Sequence, residues 1–474
     1  MTINAEAPVA AARGGPVAAE REAEGSASAT DLVLPLAAVG GVGILAGYGY
    51  LRRTRRARTR TTPGVISPHP PMTPLPVLER QAGAALVQAD DCVRTSRDEL
   101  AFAEARFGAE AVEPFAGALR EAERELSAAF AIRLRYDGGV PEEEAARRHA
   151  LAGIVGRCAE AGRRLDAEAP GFDQLRALER GMAEAQEVAE GRFRELAGRT
   201  GAVEATLADL TTRYPASATA TVVGYGEQAK DRLVFATTHL NQSRQAADLG
   251  DTARAIGDLR AAEGAISQAD ILLNGIERLA DSLTAAAGLV PAALTGAEAE
   301  IARATAKAAE LRSHLTHADT VLATVRLEMT SGPYDPLDAL RRIVRAVRAL
   351  GGGRDGVLGA AALLTGRHDV DPADDFVTTH RGAVSAGART LLAEAQRLTG
   401  TDPGAAGEQA LKSRELAEQD VRVHGNPHAG TDEPTSGMSG AVLGGIVLNE
   451  TPDGGPPLSF GGPETRRRRG LPPT

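Results

Sequence analysis

Tryptophan is absent from this chain, and all aromatic residues together make up 3% of its 474 residues. Aromatic rings are the side chains that bury most surface, roughly 150–250 Å² each, so a thick globular core built on them is excluded. Hydrophobic residues reach 43%, but much of that share is alanine. Alanine favours helix and buries little area, which points to long, thin bundles with alanine-lined seams. Only two cysteines occur, Cys92 and Cys158, too few for a disulfide framework, and free thiols are expected. No stretch alternates apolar and polar residues with period two, so no β-sheet is predicted. The net charge is −10, and with basic clusters at the two ends the helical part between them is acidic, which argues against a nucleic-acid footprint.

What the chain does have is a clear address. Twenty uncharged residues run from Leu32 to Leu51 and meet Arg52, Arg53, Arg55, Arg56, Arg58 and Arg60. About 20 apolar residues is the length of a bilayer-crossing helix, and cationic flanks stay on the cytoplasmic side. The preceding residues carry Glu6, Glu20, Glu22, Glu24 and Asp31 against Arg13 and Arg21. The expectation is a single-pass cell-membrane anchor with the N-terminus outside and the bulk of the chain cytoplasmic. A cleavable signal is the competing reading, but it calls for a basic start and an earlier, shorter apolar run. Gly43 and Gly47 form one GxxxG pair, the kind of surface on which two helices approach closely, so a homo-oligomer is one partner expectation. The second basic cluster, Arg466, Arg467, Arg468 and Arg469, is expected, like the first, to be drawn to anionic lipid.

Six regions follow. Residues 1–30 read as a short outer disordered tail, 31–51 as the transmembrane helix, and 52–76 as a basic, proline-rich juxtamembrane linker. Residues 77–350 read as a long helical bundle, 351–422 as an interrupted helical region, and 423–474 as a disordered Gly/Pro-rich tail with a basic end. The fold class is all-α: a membrane helix followed by long antiparallel helices of spectrin-like or coiled-coil kind.

The helical reading rests on steps of three and four residues. Leu86, Ala89, Val93, Ser96, Leu100, Ala103 and Phe107 follow it, as do Val112, Phe115, Leu119, Ala122 and Leu126, and then Leu151, Ile154, Cys158, Ala161 and Leu165. The cleanest run is Ile301, Ala304, Ala308, Leu311, Leu315, Ala318, Leu322 and Val325, a heptad pattern of left-handed helix packing. Pro141 with Glu142, Glu143 and Glu144 reads as a helix start. Asp335 before Pro336 reads as an N-cap. Pro215, Gly250-Asp251 and Pro291 read as breaks, and residues 351–356 and 367–374 as loops. Residues 246–262 (AADLGDTARAIGDLRAA) and 395–410 (AQRLTGTDPGAAGEQA) each place a Gly/Asp turn between alanine-rich helices. Helical hairpins explain both without the signature of a tetratricopeptide array.

Residues able to carry chemistry are scattered. There is no phosphate loop, since the stretch Gly351 to Gly356 lacks the lysine and the preceding strand. His314 and His317 sit three apart but flank a seam held by Leu315 and Ala318, so a solvated face is expected rather than a metal. His380 falls on a seam with Val377 and Val384 and reads as a packed, hydrogen-bonded ring. Cys158 replaces an apolar seam residue, and Cys92 stands beside Asp90 and Asp91, which disfavour a thiolate. The many carboxylates on helix faces read as solvated. No enzyme and no cofactor are expected.

Four strings carry a family resemblance: EQAKDRLVFATTHLNQSRQA (residues 227–246), GPYDPLDALRR (332–342), THRGAVSAGARTLLAEAQRL (379–398) and LAEQDVR (416–422). With the order of apolar span, arginine cluster, long helical region and glycine-rich tail, the chain resembles the cytoplasmic half of actinobacterial TPM-domain membrane proteins. In that family a signal peptide and an extracytoplasmic TPM domain precede the membrane helix, whereas here about thirty linker-like residues do. The metal-binding or phosphatase-like chemistry proposed for the family belongs to that domain, so the resemblance carries none of it to residues of this chain. Its implication is a membrane-anchored helical scaffold that meets cytoplasmic protein partners. Two alternatives of other classes are an envelope or division architecture protein, and the signalling half of a split receptor.

Overall fold

The structure is a computed structural model that describes residues 73–305, 308–353, 355–424 and 455–471. The expected membrane span, Leu32 to Leu51, its arginines Arg52, Arg53, Arg55, Arg56, Arg58 and Arg60, and the pair Gly43 and Gly47 lie outside the described residues.

Among the described residues the secondary structure is helical throughout, with no strand. In chain order the helices are α1 (Leu75–Phe107), α2 (Ala109–Gly138), α3 (Glu144–Arg176), α4 (Met182–Arg213), the single turn α5 (Ala216–Thr219) with a 3₁₀ turn (Ala220–Val222), α6 (Tyr225–Asp248), α7 (Thr252–Ala304), α8 (Ala308–Ser331), α9 (Pro336–Ala349), α10 (Gly356–Thr379), α11 (Ala386–Leu398), α12 (Pro403–Val423) and the short α13 (Pro463–Arg468).

They enclose three apolar cores. The largest is built around α7, whose Leu259, Leu272, Ile276, Leu283 and Val290 are buried against α4, α6, α9 and α10. The second joins α1, α2 and α3 through the seams predicted for them, from Leu86 and Val93 to Phe115 and Leu119 to Leu151, Ile154 and Leu165. The third joins α10, α11 and α12 around Val377, Val384, Leu392 and several alanines. Alanine at the closest approaches lets neighbouring backbones come together, so the cores are narrow, as the composition requires.

Helix starts follow local chemistry. Asp335 accepts from Asp338 N at 3.0 Å and Pro336 opens α9, as the sequence predicts. The two Gly/Asp segments are both hairpin turns: Asp251 accepts from Arg254 N at 3.2 Å to start α7, and Asp402 accepts from Ala405 N at 3.1 Å to start α12. The same Asp N-cap thus closes both hairpins, α6–α7 and α11–α12.

Several expectations need correction. Pro291 does not end a helix, because α7 runs through it for 53 residues. An interior proline costs about 3 kcal/mol, but the seam of Leu283, Ala286, Val290, Ala293, Leu294 and Ala297 stays buried on both sides of it, and that packing outweighs the loss. Residues 367–374 are likewise helical within α10, with Pro372 inside the helix and Val370, Ala373 and Val377 holding the buried face. Pro141 lies in a loop, and α3 begins at Glu144. The cleanest heptad run is split between α7 and α8: Ala318, Leu322 and Val325 are buried, whereas Ile301, Ala304, Leu311 and Leu315 are only partly so. Finally, residues 455–471 are not a loose tail but pack into the body, with Leu458 and Phe460 fully buried.

By length and composition α7 is the one helix among the described residues apolar enough to cross a membrane. It is also the element around which the largest core is assembled.

Candidate functional site

The three cores meet along one stretch of α1, residues 90–99. Here only Arg97 is exposed and Asp98 half-buried, while Asp90, Asp91, Arg94, Thr95, Ser96 and Glu99 are all buried. Isolated charges in such a place are prohibitive, so each must find a partner from another helix. They do so in two directions.

Towards the third core, Arg94 donates from Nε to Asp90 at 3.0 Å and from Nη1 to Asp374 at 2.8 Å and Thr378 at 2.6 Å, which fastens α1 to α10. Arg389 of α11 donates from Nη1 to Asp90 at 2.6 Å and Asp91 at 2.8 Å, and from Nη2 to the carbonyl of Arg381. Burial pushes the Asp90 carboxyl up, but the guanidinium groups of Arg94 and Arg389 outweigh it and hold it below its ordinary value. Arg381 is less well served. Its Nη1 lies 4.0 Å from Asp98, its Nε and Nη1 find no hydrogen-bond acceptor, and burial lowers its proton affinity.

Towards the first and second cores, Glu99 is the centre. Arg260 of α7 donates to it at 3.2 Å, Arg176 lies 3.9 Å away and Arg469 4.0 Å away, and the backbone N–H of Phe460 donates to its Oε2. Burial alone would raise this carboxyl, yet Arg260, Arg176, Arg469 and the Phe460 N–H bring it down to about 2. Arg176 also grips both oxygens of Glu263 on α7, at 2.9 and 3.0 Å.

The C-terminal segment completes this end. Leu458 enters the first core and Phe460 the second. The Phe460 ring stacks on Phe172 with centroids 4.4 Å apart and meets Phe115 edge-on at 5.9 Å. Asp166 of α3 accepts from Gly462 N and Thr465 N, both at 2.9 Å. Arg466 is buried and donates to Thr95 at 3.1 Å, while Arg469 donates to Ser459 Oγ at 2.7 Å and pairs with Asp173. Of the four arginines expected at a lipid surface, Arg466 and Arg469 are therefore turned inward, whereas Arg467 and Arg468 are exposed.

Two openings reach the cluster. A cavity of about 580 Å³ is lined by Arg176, Arg180, Arg260 and Arg469 with Asp173 and Ile256. Another of about 320 Å³ is lined by Arg94, Arg97 and Asp374 with Leu126 and Phe130.

Other candidates are placed elsewhere. His314 and His317 are exposed on α8, and no group of three His, Cys, Asp or Glu side chains converges on a metal position among the described residues. His380 stacks on Phe376, and its Nδ1 lies 3.1 Å from the Phe376 carbonyl oxygen. Cys92 and Cys158 are buried free thiols, each pushed up to about 12 by burial, so neither presents a thiolate near neutrality. Asp375 on α10 is raised to about 7, chiefly by burial and against the pull of Arg278 at 2.5 Å.

Reading every helix-face carboxylate as solvated missed Asp90, Asp91, Glu99 and Glu263. A usable signal lies in the spacing: Asp90 and Glu99 flank a seam already occupied by Ala89, Val93, Ser96 and Leu100, so a helix packed on more than one side has to bury them.

The geometry defines a class, an all-helical body knitted together at a buried ion-pair cluster. No protein-family model and no solved structure matches the chain. Two proteins of Mycobacterium tuberculosis are similar to it, one from strain CDC 1551 / Oshkosh and one from strain ATCC 25618 / H37Rv, each called a UPF0603 protein. Each is 28% identical over 436 residues, a match covering 82% of this chain and 65% of the relative. The chain thus spans just under two thirds of the length of these curated relatives.

Proposed function

We propose that the protein is a membrane-tethered, non-enzymatic helical interaction protein. In this reading the span from Leu32 to Leu51 is a single-pass anchor, the arginines from Arg52 to Arg60 hold their side in the cytoplasm, and the helical body meets cytoplasmic partners near the leaflet. Its helices are spectrin-like in kind, long antiparallel members joined by short turns, and the relationship to TPM-domain membrane proteins belongs to the same proposal.

The observation that supports it most is how the body uses its inner charges. Arg94, Arg389, Arg176 and Arg260 are each engaged with carboxylates from other parts of the chain. Such pairs add little net stability compared with apolar packing, but they specify which helices meet and in what register. A body held in one arrangement suits a platform for other proteins, and confinement at a membrane raises its effective concentration for partners bound there.

Fractionation of cells producing the full chain tests the anchor. The protein is expected in the membrane pellet, retained through high salt and alkaline carbonate and released by detergent. Protease added to intact cells is expected to leave the body whole. Recovery of the intact chain in the soluble fraction, or digestion of the body from outside, would overturn the proposal.

A further inference from the structure

Residues 455–471 lie on the body in the manner of a bound peptide rather than as part of a bundle. Their contacts fall into three kinds. Backbone N–H groups are read by side chains of the body: Phe460 by Glu99, Gly461 by Ser96 at 3.1 Å, and Gly462 and Thr465 by Asp166. Two apolar anchors, Leu458 and Phe460, fill separate cores. Arginines then meet acidic groups, Arg469 pairing with Asp173 and lying 4.0 Å from Glu99. Backbone bonds for affinity, spaced pockets for side chains and opposite charge across the contact are the features by which protein grooves recognise extended segments.

The groove is also shaped for that occupant. A Cβ at Gly162 would stand 2.6 Å from Cδ of Pro463, and one at Gly264 would stand 2.8 Å from the carbonyl oxygen of Pro456. Both glycines lie in helices, where the residue is unfavourable, and what they provide is room for the segment. Thirty residues, 425–454, connect the segment to the end of α12. At full extension a connection of that length covers about 100 Å.

We propose that the groove between α1, α3 and α7 is a peptide-recognition site whose ligand is the 455–471 segment, filled first by the chain's own segment, whose tether gives it the higher effective concentration, and open to the segment of a second copy once its own is released. Neighbouring copies would then be linked by exchange of their C-terminal segments, with Phe460 as the anchor and the Arg469–Asp173 pair setting register.

The test uses the full chain with a protease site inserted among residues 425–454. After cleavage the segment is expected to remain with the body on size-exclusion chromatography. It should then be replaced by excess fluorescent 455–471 peptide, while a peptide carrying Phe460→Ala competes about a hundredfold or more less well. In the uncut chain, F460A should open the groove, so that this variant takes up the labelled peptide and the parent chain takes up far less. Far-ultraviolet circular dichroism reports whether the body stays helical in each case. The proposal is overturned if the segment leaves on cleavage while the body stays helical, or if the retained segment never exchanges. It also fails if the parent and F460A peptides bind alike, or if the body loses its helical signal on cleavage and added peptide does not restore it.

Discussion

Two buried carboxylates in this molecule, Glu99 and Asp375, have opposite fates. Glu99 is fully buried and lies within 4.0 Å of Arg260, Arg176 and Arg469, three cations drawn from three distant parts of the chain. Asp375 has one close cation, Arg278, which is itself partly exposed, and it shares its helix with Asp371 and Asp374. Burial pushes both carboxyls up, yet one ends near 2 and the other near 7. What differs is the balance of charge around each, three cations against one cation and two like charges. Burial depth alone therefore does not say whether an acid in a helical body is ionised. The Glu99 end works as a joint that needs its charge, and the Asp375 end as a patch that is better without it.

The largest effect expected from breaking this contrast is at the joint. Glu99→Gln keeps the shape but leaves Arg176, Arg260 and Arg469 without their shared anion, and the expected loss is about 3–5 kcal/mol of unfolding free energy. Denaturant unfolding measures it. A loss below about 1 kcal/mol would mean that Glu263 and Asp173 suffice for these arginines and that Glu99 is not the centre of the cluster.

The next effect is acid sensitivity. Glu99 is held at about 2 against an ordinary 4.5, so its contribution is fully present above pH 4.5 and is lost as pH falls towards 2. A shift of that size corresponds to about 3 kcal/mol. In Glu99→Gln this part of the acid transition should vanish, leaving a flatter stability profile between pH 4.5 and 2. A slope unchanged by the substitution would assign the acid sensitivity to other groups, with Asp90 the first to examine, since it too is held low.

How much of this was legible in the sequence depends on what each signal measures. The seams of α1, α2 and α3 were readable residue by residue because apolar periodicity reports the buried face directly. The cleanest periodic run was the poorest guide: periodicity shows which face could pack, but Leu311 and Leu315 stay only partly buried in α8. The Gly/Pro-rich C-terminus gave the reverse error. Composition predicts that a segment cannot fold by itself, which says nothing of a groove made by Glu99, Asp166 and Phe172 more than 280 residues away. The ion-pair cluster was illegible for the same reason, since Asp90 and Arg389 are partners only after α11 docks on α1. Pro291 and Pro372 show the limit of local breakers, which yield where a continuous seam is buried on both sides of them.

The patch gives the third prediction, with the opposite sign. Asp375 is raised from 3.8 to about 7, so between those values the folded state holds a proton that the unfolded chain releases. Stability from this group therefore falls as pH rises from about 4 to 7. Asp375→Asn should stabilise the protein by about 1–2 kcal/mol at pH 8 and by close to nothing at pH 4. Thermal unfolding at the two pH values checks it. Destabilisation at pH 8 would show that the 2.5 Å contact with Arg278 outweighs desolvation and the two neighbouring aspartates.

The smallest effect separates the two hairpins that flank these regions. Asp251 and Asp402 cap α7 and α12 through the same side-chain bond, at 3.2 and 3.1 Å. Replacing an aspartate cap with alanine costs about 1 kcal/mol from the cap alone. Asp402 has a second role, because its Oδ2 accepts from Arg348 of α9 at 2.9 Å across an exposed contact, the kind of pair worth a few tenths of a kcal/mol. Asp402→Ala should therefore cost slightly more than Asp251→Ala, and the excess should disappear in an Arg348→Ala background. A double-mutant cycle read by denaturant unfolding isolates that term. If the excess persists without Arg348, the third core depends on the α11–α12 turn itself.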